Sequence, residues 1–355
     1  MNSDVERRMT QFARLIRLGK LAEATLAIRS ALGIASPAAA DAASPGRHDE
    51  SGGDVIDVDA RVVDADRPAA DADANAAESF TSGHFRNQLG GRDFRLFEPA
   101  RDGRPLPLVV MLHGCKQDPD DFARGTGMNG LARARGFLVL YPAQAPRSNG
   151  SRCWNWFERH HQARGQGEPG ILAGMVRDVI ARHGIDADRV YVAGLSAGGA
   201  MAAILGDAYP ELFAAVGVHS GLPTGSAVDV QTAFSAMQGG PAPVRRADRA
   251  GAAPPTIVFH GDADPTVHAV NASRVIEAMG LPATSEERRE SGTAGREFSR
   301  RQWMDADGAV RAEQWTIRGA GHAWSGGRAE GSFTDARGPD ASAEMLRFFL
   351  AHPKR

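Results

Sequence analysis

A serine flanked by glycines stands where an apolar, strand-like run gives way to a helical pattern. The segment, residues 189–205, reads RVYVAGLSAGGAMAAIL, with Gly194 two residues before Ser196 and Gly198 two residues after it. The pattern G-x-S-x-G is typical of a sharp strand-to-helix turn that exposes a serine hydroxyl as a nucleophile. A glycine-rich turn in an unrelated α/β protein gives the same pattern, so the rest of the chain has to decide between the two interpretations.

A serine hydroxyl is a weak nucleophile at neutral pH and needs a general base, which in turn needs an acid to orient it. Two polar segments follow strand-like runs: VFHGDADPTV, which contains Asp262 and Asp264, and IRGAGHAWSGG, which contains His322. We predict His322 as the base and one of the two aspartates as the acid. Asp264 is preferred because it lies further into the loop and Pro265 follows it. The order serine, acid, histidine along the chain fits the nucleophile-turn interpretation.

The same chemistry requires two N–H donors for a negatively charged oxygen. The backbone N–H of Ala197, directly after the serine, is the first predicted donor. The second is expected in the loop after an earlier strand, within VVMLHGCKQ, where His113 and Gly114 turn the chain and the N–H of Cys115 would face the site. His113 is interpreted as a support of that loop and not as a member of the triad.

Positioning these groups requires strands that end at a common edge. Short apolar runs alternate with helical patterns from about residue 94 onward, which predicts an α/β fold with a mostly parallel central sheet covered by helices on both faces. In such sheets, sites form outside the carboxyl ends of the strands. The predicted strands are FRLFEP, LPLVVMLHG, GFLVLYP, RVYVAGLS, FAAVGVHSG, TIVFHGDAD and EQWTIRGAGHAW, and the predicted helices are MNGLARARG, GILAGMVRDVIARHG and ASAEMLRFFLAH.

The regions outside this pattern are of three kinds. Residues 1–33 show amphipathic helical spacing with arginines on the polar side and form a predicted N-terminal helical extension, whereas residues 34–80 are rich in alanine and aspartate and predict a flexible linker. Residues 81–355 are the predicted catalytic domain. Within it, residues 222–250 interrupt the strand–helix alternation and are expected to form a cap over the site.

Composition excludes several other classes. The chain has 355 residues and a net charge of −2, which argues against a nucleic-acid binder that relies on positive charge. Two cysteines and scattered histidines predict no metal site, and we expect no cofactor. The first residues lack the apolar core of a secretory signal, so a cytoplasmic location is expected.

Taken together, the motifs resemble the polyhydroxybutyrate (PHB) depolymerase family of esterases. The resemblance rests on LHGCKQDPDDFARGTGMNGLARARGFLVLYP, CWNWF, YVAGLSAGGAMA, HGDADPTV and GHAWSGG in one order, from about Phe85 to the C-terminus. It implies an α/β-hydrolase fold, a triad of Ser196, Asp264 and His322, and Cys115 as an oxyanion-hole donor. It also selects Asp264 over Asp262. Compared with secreted members of the family, this sequence shows neither a recognisable signal peptide nor a separate polymer-binding module. Attack on crystalline polymer is therefore not expected.

Three further residues are predicted to contact substrate: Trp154 and Trp324, whose indoles could line a groove near the site, and Gln117 in the Cys115 loop. Simple coverage of the sheet edge is the alternative for the indoles. Cys115 and Cys153 lie in two of the family motifs, so a disulfide between them would staple the two loops together. Two reduced thiols are the alternative, which a cytoplasmic location favours.

The leading hypothesis is a serine esterase that acts through an acyl-enzyme, with hydroxyalkanoate oligomers or short acyl esters as substrates by resemblance. A feruloyl or acetyl-xylan esterase is the alternative within the same chemistry. A non-catalytic protein of PHB granules, bound through the N-terminal helices, is the alternative from a different class. For those helices three interpretations stay open: contact with a polymer-granule surface, contact with a second copy of the chain, or packing against the chain's own catalytic domain.

Overall fold

The computed structural model describes residues 77–241, 253–281, 285–291 and 295–354, with only the backbone described for 285–291. The predicted helical extension, residues 1–33, and almost all of the predicted linker, residues 34–80, lie outside the described residues. The first strand begins at Ser79, so the end of that predicted linker already belongs to the sheet.

The described chain forms strands and helices in alternation. The strands are β1 Ser79–Asn87, β2 Gly90–Glu98, β3 Leu106–Leu112, β4 Leu138–Pro142, β5 Ile185–Leu195, β6 Ala215–His219, β7 Thr256–Gly261, β8 Ser285–Ser291, β9 Glu297–Met304, β10 Val310–Ile317, β11 Trp324–Ser325 and β12 Thr334–Asp335. The helices are α1 Pro119–Thr126, α2 Met128–Arg135, α3 Gly167–Arg182, α4 Ala197–Ala208, α5 Val230–Met237, α6 Val270–Met279 and α7 Ala341–Leu350, with a short 3₁₀ turn at Arg159–His161.

One large sheet organises the fold, in the strand order β1-β2-β4-β3-β5-β6-β7-β10-β9-β8. The neighbours from β4 to β10 pair in parallel, whereas β1 and β2 at one edge and β9 and β8 at the other pair antiparallel. The two short strands β11 and β12 pair separately. The mostly parallel sheet therefore matches the prediction.

Helices cover both faces of the sheet because the central strands are apolar on both sides. In β3, Leu108 and Val110 contribute to one core cluster, whereas Val109 and Met111 contribute to the other. The first cluster includes residues of α3, α4 and α6, and the second includes residues of α1, α2 and α7. Side chains of a strand alternate between its two faces, so every second residue reaches the opposite helix layer.

The parallel strands place their carboxyl ends along one edge of the sheet. The loops after β3, β5, β7 and β10 emerge there, and these are the loops that carry the oxyanion-donor segment, Ser196, Asp264 and His322. None of the described helices combines the length and the apolar character needed to cross a bilayer.

The described part of the predicted cap contains α5. Its first turn is closed by Asp229, which accepts a hydrogen bond from the Thr232 N–H at 2.8 Å. The helix is tied to the start of α6, since Asn271 donates to the Ala236 carbonyl and the His268 N–H donates to the Met237 carbonyl. Residues 242–252 lie outside the described residues, so the cap remains a prediction.

Candidate active site

Ser196 lies on a sharp turn between β5 and α4. Its backbone has φ 57° and ψ −118°, a region that non-glycine residues adopt only when their surroundings hold them there. A Cβ atom on Gly194 would lie 2.3 Å from the carbonyl carbon of Gly198, and one on Gly198 would lie 2.0 Å from the Leu112 carbonyl oxygen. The glycines are therefore required by the close approach of strand and helix, as a nucleophile turn demands.

Asp264 and His322 meet at the ends of β7 and β10. His322 Nδ1 lies 2.7 Å from Asp264 Oδ2, and the aspartate side chain is fully buried. Asp264 Oδ1 accepts hydrogen bonds from the backbone N–H groups of Thr266 and Val267 at 2.8 and 2.9 Å. With one oxygen held by the backbone and the other facing the ring, the carboxylate orients His322, whose Nε2 has no hydrogen-bond partner among the described residues.

Asp264 remains ionised in this environment. Burial by itself would raise the pKa of the carboxyl group, but hydrogen bonds from His260 and His322 and from the Val267 N–H outweigh it and hold the pKa well below its usual range. Sequence reasoning did not find the His260 contribution, in which Nε2 lies 3.4 Å from Asp264 Oδ2 and donates to the Val267 carbonyl at 2.8 Å. The only signal was its place in the segment FHGDAD.

Asp262 has a different role. Its Oδ1 accepts a hydrogen bond from the Gly319 N–H at 2.6 Å, which joins the turn after β7 to the turn after β10. It supports the loop that leads to His322 and does not contact the histidine ring.

His219 connects the nucleophile turn to the histidine loop, and sequence reasoning did not identify it. Its carbonyl accepts the Ser196 N–H at 2.8 Å, and its ring Nε2 accepts the Ser325 N–H at 3.0 Å. The ring is fully buried and stacks on Trp324 with centroids 5.0 Å apart. Burial lowers the pKa of His219 well below its usual value, with smaller contributions from His260 and His322, so the ring stays neutral and can accept this bond.

Among the described residues, no hydrogen bond joins the Ser196 hydroxyl to His322. Catalytic hydrogen bonds of this kind are often long in the free enzyme and tighten when substrate binds.

The loop after β3 orients the Cys115 N–H. The Gly114 carbonyl accepts hydrogen bonds from His113 Nδ1 at 2.8 Å and from the Gln117 N–H at 3.3 Å. In a planar trans peptide the C=O and the following N–H point in opposite directions, so holding the Gly114 carbonyl aims the Cys115 N–H away from these partners. Within the described chain, neither the Cys115 nor the Ala197 N–H has a protein acceptor. Two unused donors therefore flank the nucleophile turn.

His113 is a neutral clamp for this loop. Its Nε2 accepts the Gln144 N–H at 3.1 Å, which places the ring proton on Nδ1, where it is donated to Gly114. Burial lowers the pKa of His113 to about 4, so this tautomer persists at neutral pH.

A disulfide bond joins Cys115 to Cys153 and ties the oxyanion-donor loop to the tryptophan loop. A second connection runs beside it, since the Lys116 N–H donates to the Ser151 carbonyl at 2.7 Å. Behind the loop lies a fully buried carboxylate, Glu168. Its hydrogen-bond partners, which sequence reasoning also missed, are Arg92, Gln144 and Asn155.

The structure corrects the three predicted substrate contacts, because all of them are buried and bonded to protein. Trp154 is 0% exposed and donates its indole N–H to the His113 carbonyl. Trp324 is 1% exposed and donates to the Ser342 hydroxyl. Gln117 is 2% exposed, and both ends of its amide are engaged. These side chains support the loops around the site from behind.

One group in the described part of the chain has the composition of a metal site: Glu158, His160 and His161, whose ligand atoms lie within 4.8 Å of one another. His161 Nδ1, however, accepts the Glu168 N–H at 2.9 Å, which leaves the proton of the neutral ring on Nε2, the atom that faces Glu158. A metal ion would have to displace that proton, so the arrangement disfavours one.

The family model described as Esterase PHB depolymerase matches residues 95–289. The chain belongs to this family. It is 34% identical over 246 residues to the poly(3-hydroxyalkanoate) depolymerase C of Paucimonas lemoignei, an alignment that covers 65% of this chain and 58% of that protein. The predicted family membership is therefore confirmed.

The chain is also similar to two other esterases. The chain is 33% identical over 128 residues to the feruloyl esterase B of Thermothelomyces thermophilus, covering 36% of this chain and 43% of that protein. The acetyl xylan esterase from Aspergillus awamori superposes with a TM-score of 0.57 at 20% identity, covering 76% of this chain and 99% of that one. The structural similarity confirms the predicted α/β-hydrolase fold. The chain spans less than two thirds of the length of the two sequence relatives.

Proposed function

We propose that this member of the PHB depolymerase family is a serine esterase that hydrolyses carboxylic esters through an acyl-enzyme, with Ser196, Asp264 and His322 as its triad. The observation that carries the proposal is the buried, ionised Asp264 bound to His322 at the same sheet edge as the strained Ser196 turn. A binding protein would gain nothing from a backbone strained in this way beside an oriented imidazole.

In the proposed reaction, His322 Nε2 accepts the proton of Ser196 Oγ as the oxygen attacks the ester carbonyl carbon. The negative charge that develops on the carbonyl oxygen is stabilised by the N–H groups of Ala197 and Cys115. The imidazolium then donates its proton to the leaving alkoxide as the C–O bond breaks. In the second half, His322 takes a proton from water as the water oxygen attacks the acyl carbon. The imidazolium then returns that proton to Ser196 Oγ as the bond between Oγ and the acyl carbon breaks and the acid leaves. Throughout, ionised Asp264 stabilises the positive charge on the ring.

We propose hydroxyalkanoate oligomers or related short acyl esters as substrates, on the strength of the similarity to the Paucimonas lemoignei depolymerase. The disulfide supports a compartment that keeps thiols oxidised, in place of the cytoplasm predicted from the N-terminal residues. Contact with a granule surface or a second copy through residues 1–33 remains a prediction.

The first test is turnover of short p-nitrophenyl esters and 3-hydroxybutyrate oligomers by the wild type, by Ser196→Ala and by the matched surface variant Ser148→Ala. We expect Ser196→Ala to lower kcat by about 10⁴-fold or more and Ser148→Ala to leave it unchanged. A fluorophosphonate should label the wild type at Ser196 and leave the alanine variant unlabelled. Turnover that survives in Ser196→Ala would overturn the proposal.

Hydrolysis of aromatic esters is the second candidate, favoured by the similarity to the feruloyl esterase. Comparing kcat/KM for methyl ferulate with that for a 3-hydroxybutyrate trimer decides between the two. A ratio above one in favour of the ferulate would select this alternative.

A further inference from the structure

We propose that Gln117 is a positioning residue of the oxyanion hole, which couples the Cys115 peptide to the Asp121–Ser332 pair across the site. The proposal rests on the proposed function and adds a component to its machinery. It replaces the expectation that Gln117 contacts substrate, since a residue with 2% exposure has no surface to offer.

The amide group of Gln117 is saturated by protein partners. Its Oε1 accepts the Gly114 N–H at 2.9 Å, whereas its Nε2 donates to Asp121 Oδ2 at 2.9 Å and to the Ser332 carbonyl at 3.0 Å. The two protons of a primary amide are both used in this way. The partners also fix the orientation of the amide, because a flipped group would face the Gly114 N–H with a donor and the carboxylate with an acceptor.

Asp121 anchors the far end of this connection. Its Oδ1 accepts the Ser332 N–H at 2.9 Å, and its Oδ2 accepts the Ser332 hydroxyl at 2.5 Å. Burial opposes ionisation of the carboxyl group, but the bonds from Ser332 and Gln117 outweigh it and keep the pKa of Asp121 below its usual value. Ser332 precedes β12, which pairs with β11, and β11 begins two residues after His322. Gln117 thus joins the loop of the oxyanion donor to the segment before β12, which pairs with the strand that follows the loop of the base.

The link acts on the reaction through one peptide group. Gly114 is held at its N–H by the Gln117 side chain and at its carbonyl by the Gln117 backbone and His113. Those contacts leave the following N–H, that of Cys115, with a single direction. Without the side-chain contact, Gly114 can rotate about its backbone bonds, since a glycine has no Cβ to restrict it. The donor would then lose its aim towards an oxygen that becomes charged only in the transition state.

Gln117→Met tests this role, because methionine fills a similar volume without the amide. We expect kcat for p-nitrophenyl butyrate to fall by roughly 10–100-fold, the effect of misplacing a catalytic group by about 1 Å, with KM changed by less than about threefold. Affinity for a trifluoromethyl ketone, whose adduct carries the oxyanion, should fall by a similar factor. Gln314→Met is the matched control, since Gln314 is 6% exposed and, within the described residues, its side chain bonds to Ser273 of α6 alone. The kcat of this variant should match that of the wild type.

Gln117→Glu provides a second measurement, the pH dependence of the kcat ratio, which would not change if the role of Gln117 were merely structural. The new carboxylate keeps the acceptor for Gly114 but faces Asp121, and two such groups coexist only when they share a proton. The ratio of variant to wild-type kcat should therefore rise as the pH falls from 8 to 5. Ser332→Ala should show a smaller loss of kcat in the same direction as Gln117→Met.

Two results would overturn the proposal: a Gln117→Met kcat within threefold of the wild type, or equal losses of kcat in Gln117→Met and Gln314→Met. Should Gln117→Met fail to fold, a pH-independent kcat ratio for Gln117→Glu would overturn it equally. Failure of the proposed function looks different, since the wild type itself would neither turn over esters nor be labelled at Ser196.

Discussion

Removing the disulfide should cost the protein a calculable part of its stability while leaving most of its activity. The perturbation is the double variant Cys115→Ala/Cys153→Ala, which opens a loop closed across a sequence separation of 38 residues. In the chain-entropy model, a cross-link over a loop of this size removes entropy from the unfolded chain that corresponds to about 4 kcal/mol at 25 °C. For a domain of this size the melting temperature should fall by roughly 8–16 °C.

Urea unfolding followed by tryptophan fluorescence measures this difference, with the oxidised wild type as reference. We expect kcat at 25 °C to fall by less than about tenfold, because the donor at position 115 is a backbone N–H, and Gln117 and His113 still hold the N–H and the carbonyl of the preceding Gly114. A stability loss below about 1 kcal/mol would refute the loop-entropy reasoning. A loss of kcat above 100-fold would instead show that the sulfur bridge, and not the hydrogen bonds, aims the donor.

Three other predictions concern single residues. Asp264→Asn should lower kcat about 10⁴-fold at neutral pH, whereas Asp262→Asn should lower it less than tenfold. Steady-state kinetics of both variants on the same ester measures the two losses. Equal losses would contradict the assignment of Asp264 as the acid. Burial lowers the pKa of His113 to about 4 in the folded protein, so as the pH falls this histidine takes up a proton in the unfolded chain before it does so in the folded one. The free energy of unfolding should therefore fall by up to about 3 kcal/mol between pH 6.5 and pH 4. Urea midpoints across that range should show the fall in the wild type and lack this part in His113→Asn. Gly198→Ala should destabilise the fold by several kcal/mol, because the new Cβ would lie 2.0 Å from a backbone carbonyl oxygen of β3. Gly130→Ala lies within a helix and near only a flexible side chain, so it should stabilise the fold by about 0.5–1 kcal/mol. Thermal melts of the two variants measure the difference.

The central strands could be predicted from the sequence because burial on both faces makes them continuous apolar runs. The edge strands could not. β1 reads SFTSGHFRN and β8 reads SEERRES, and neither presents an apolar run. They pair because a neighbouring strand offers free backbone groups, which is a property of the assembled sheet and not of the segment itself.

The site was predictable to the extent that chain order encodes it. Glycines around Ser196 and polar residues after the strands identified the loops. The place of Asp264 in its loop favoured it over Asp262, but only the resemblance settled that choice. Residue type does not encode which side of a loop faces inward. Trp154 and Trp324 are of a type that is common in substrate grooves, yet both are buried like core residues. His219 and His260 were missed because a polar residue within an apolar strand gives no periodic signal for what it contacts.

His219 has a mechanical consequence. Its carbonyl holds the Ser196 N–H and its ring holds the Ser325 N–H, three residues after His322. We therefore expect a displacement of β6 to move the serine and the imidazole in the same direction. Their separation, on which proton transfer depends, should then change less than it would if the two loops moved independently.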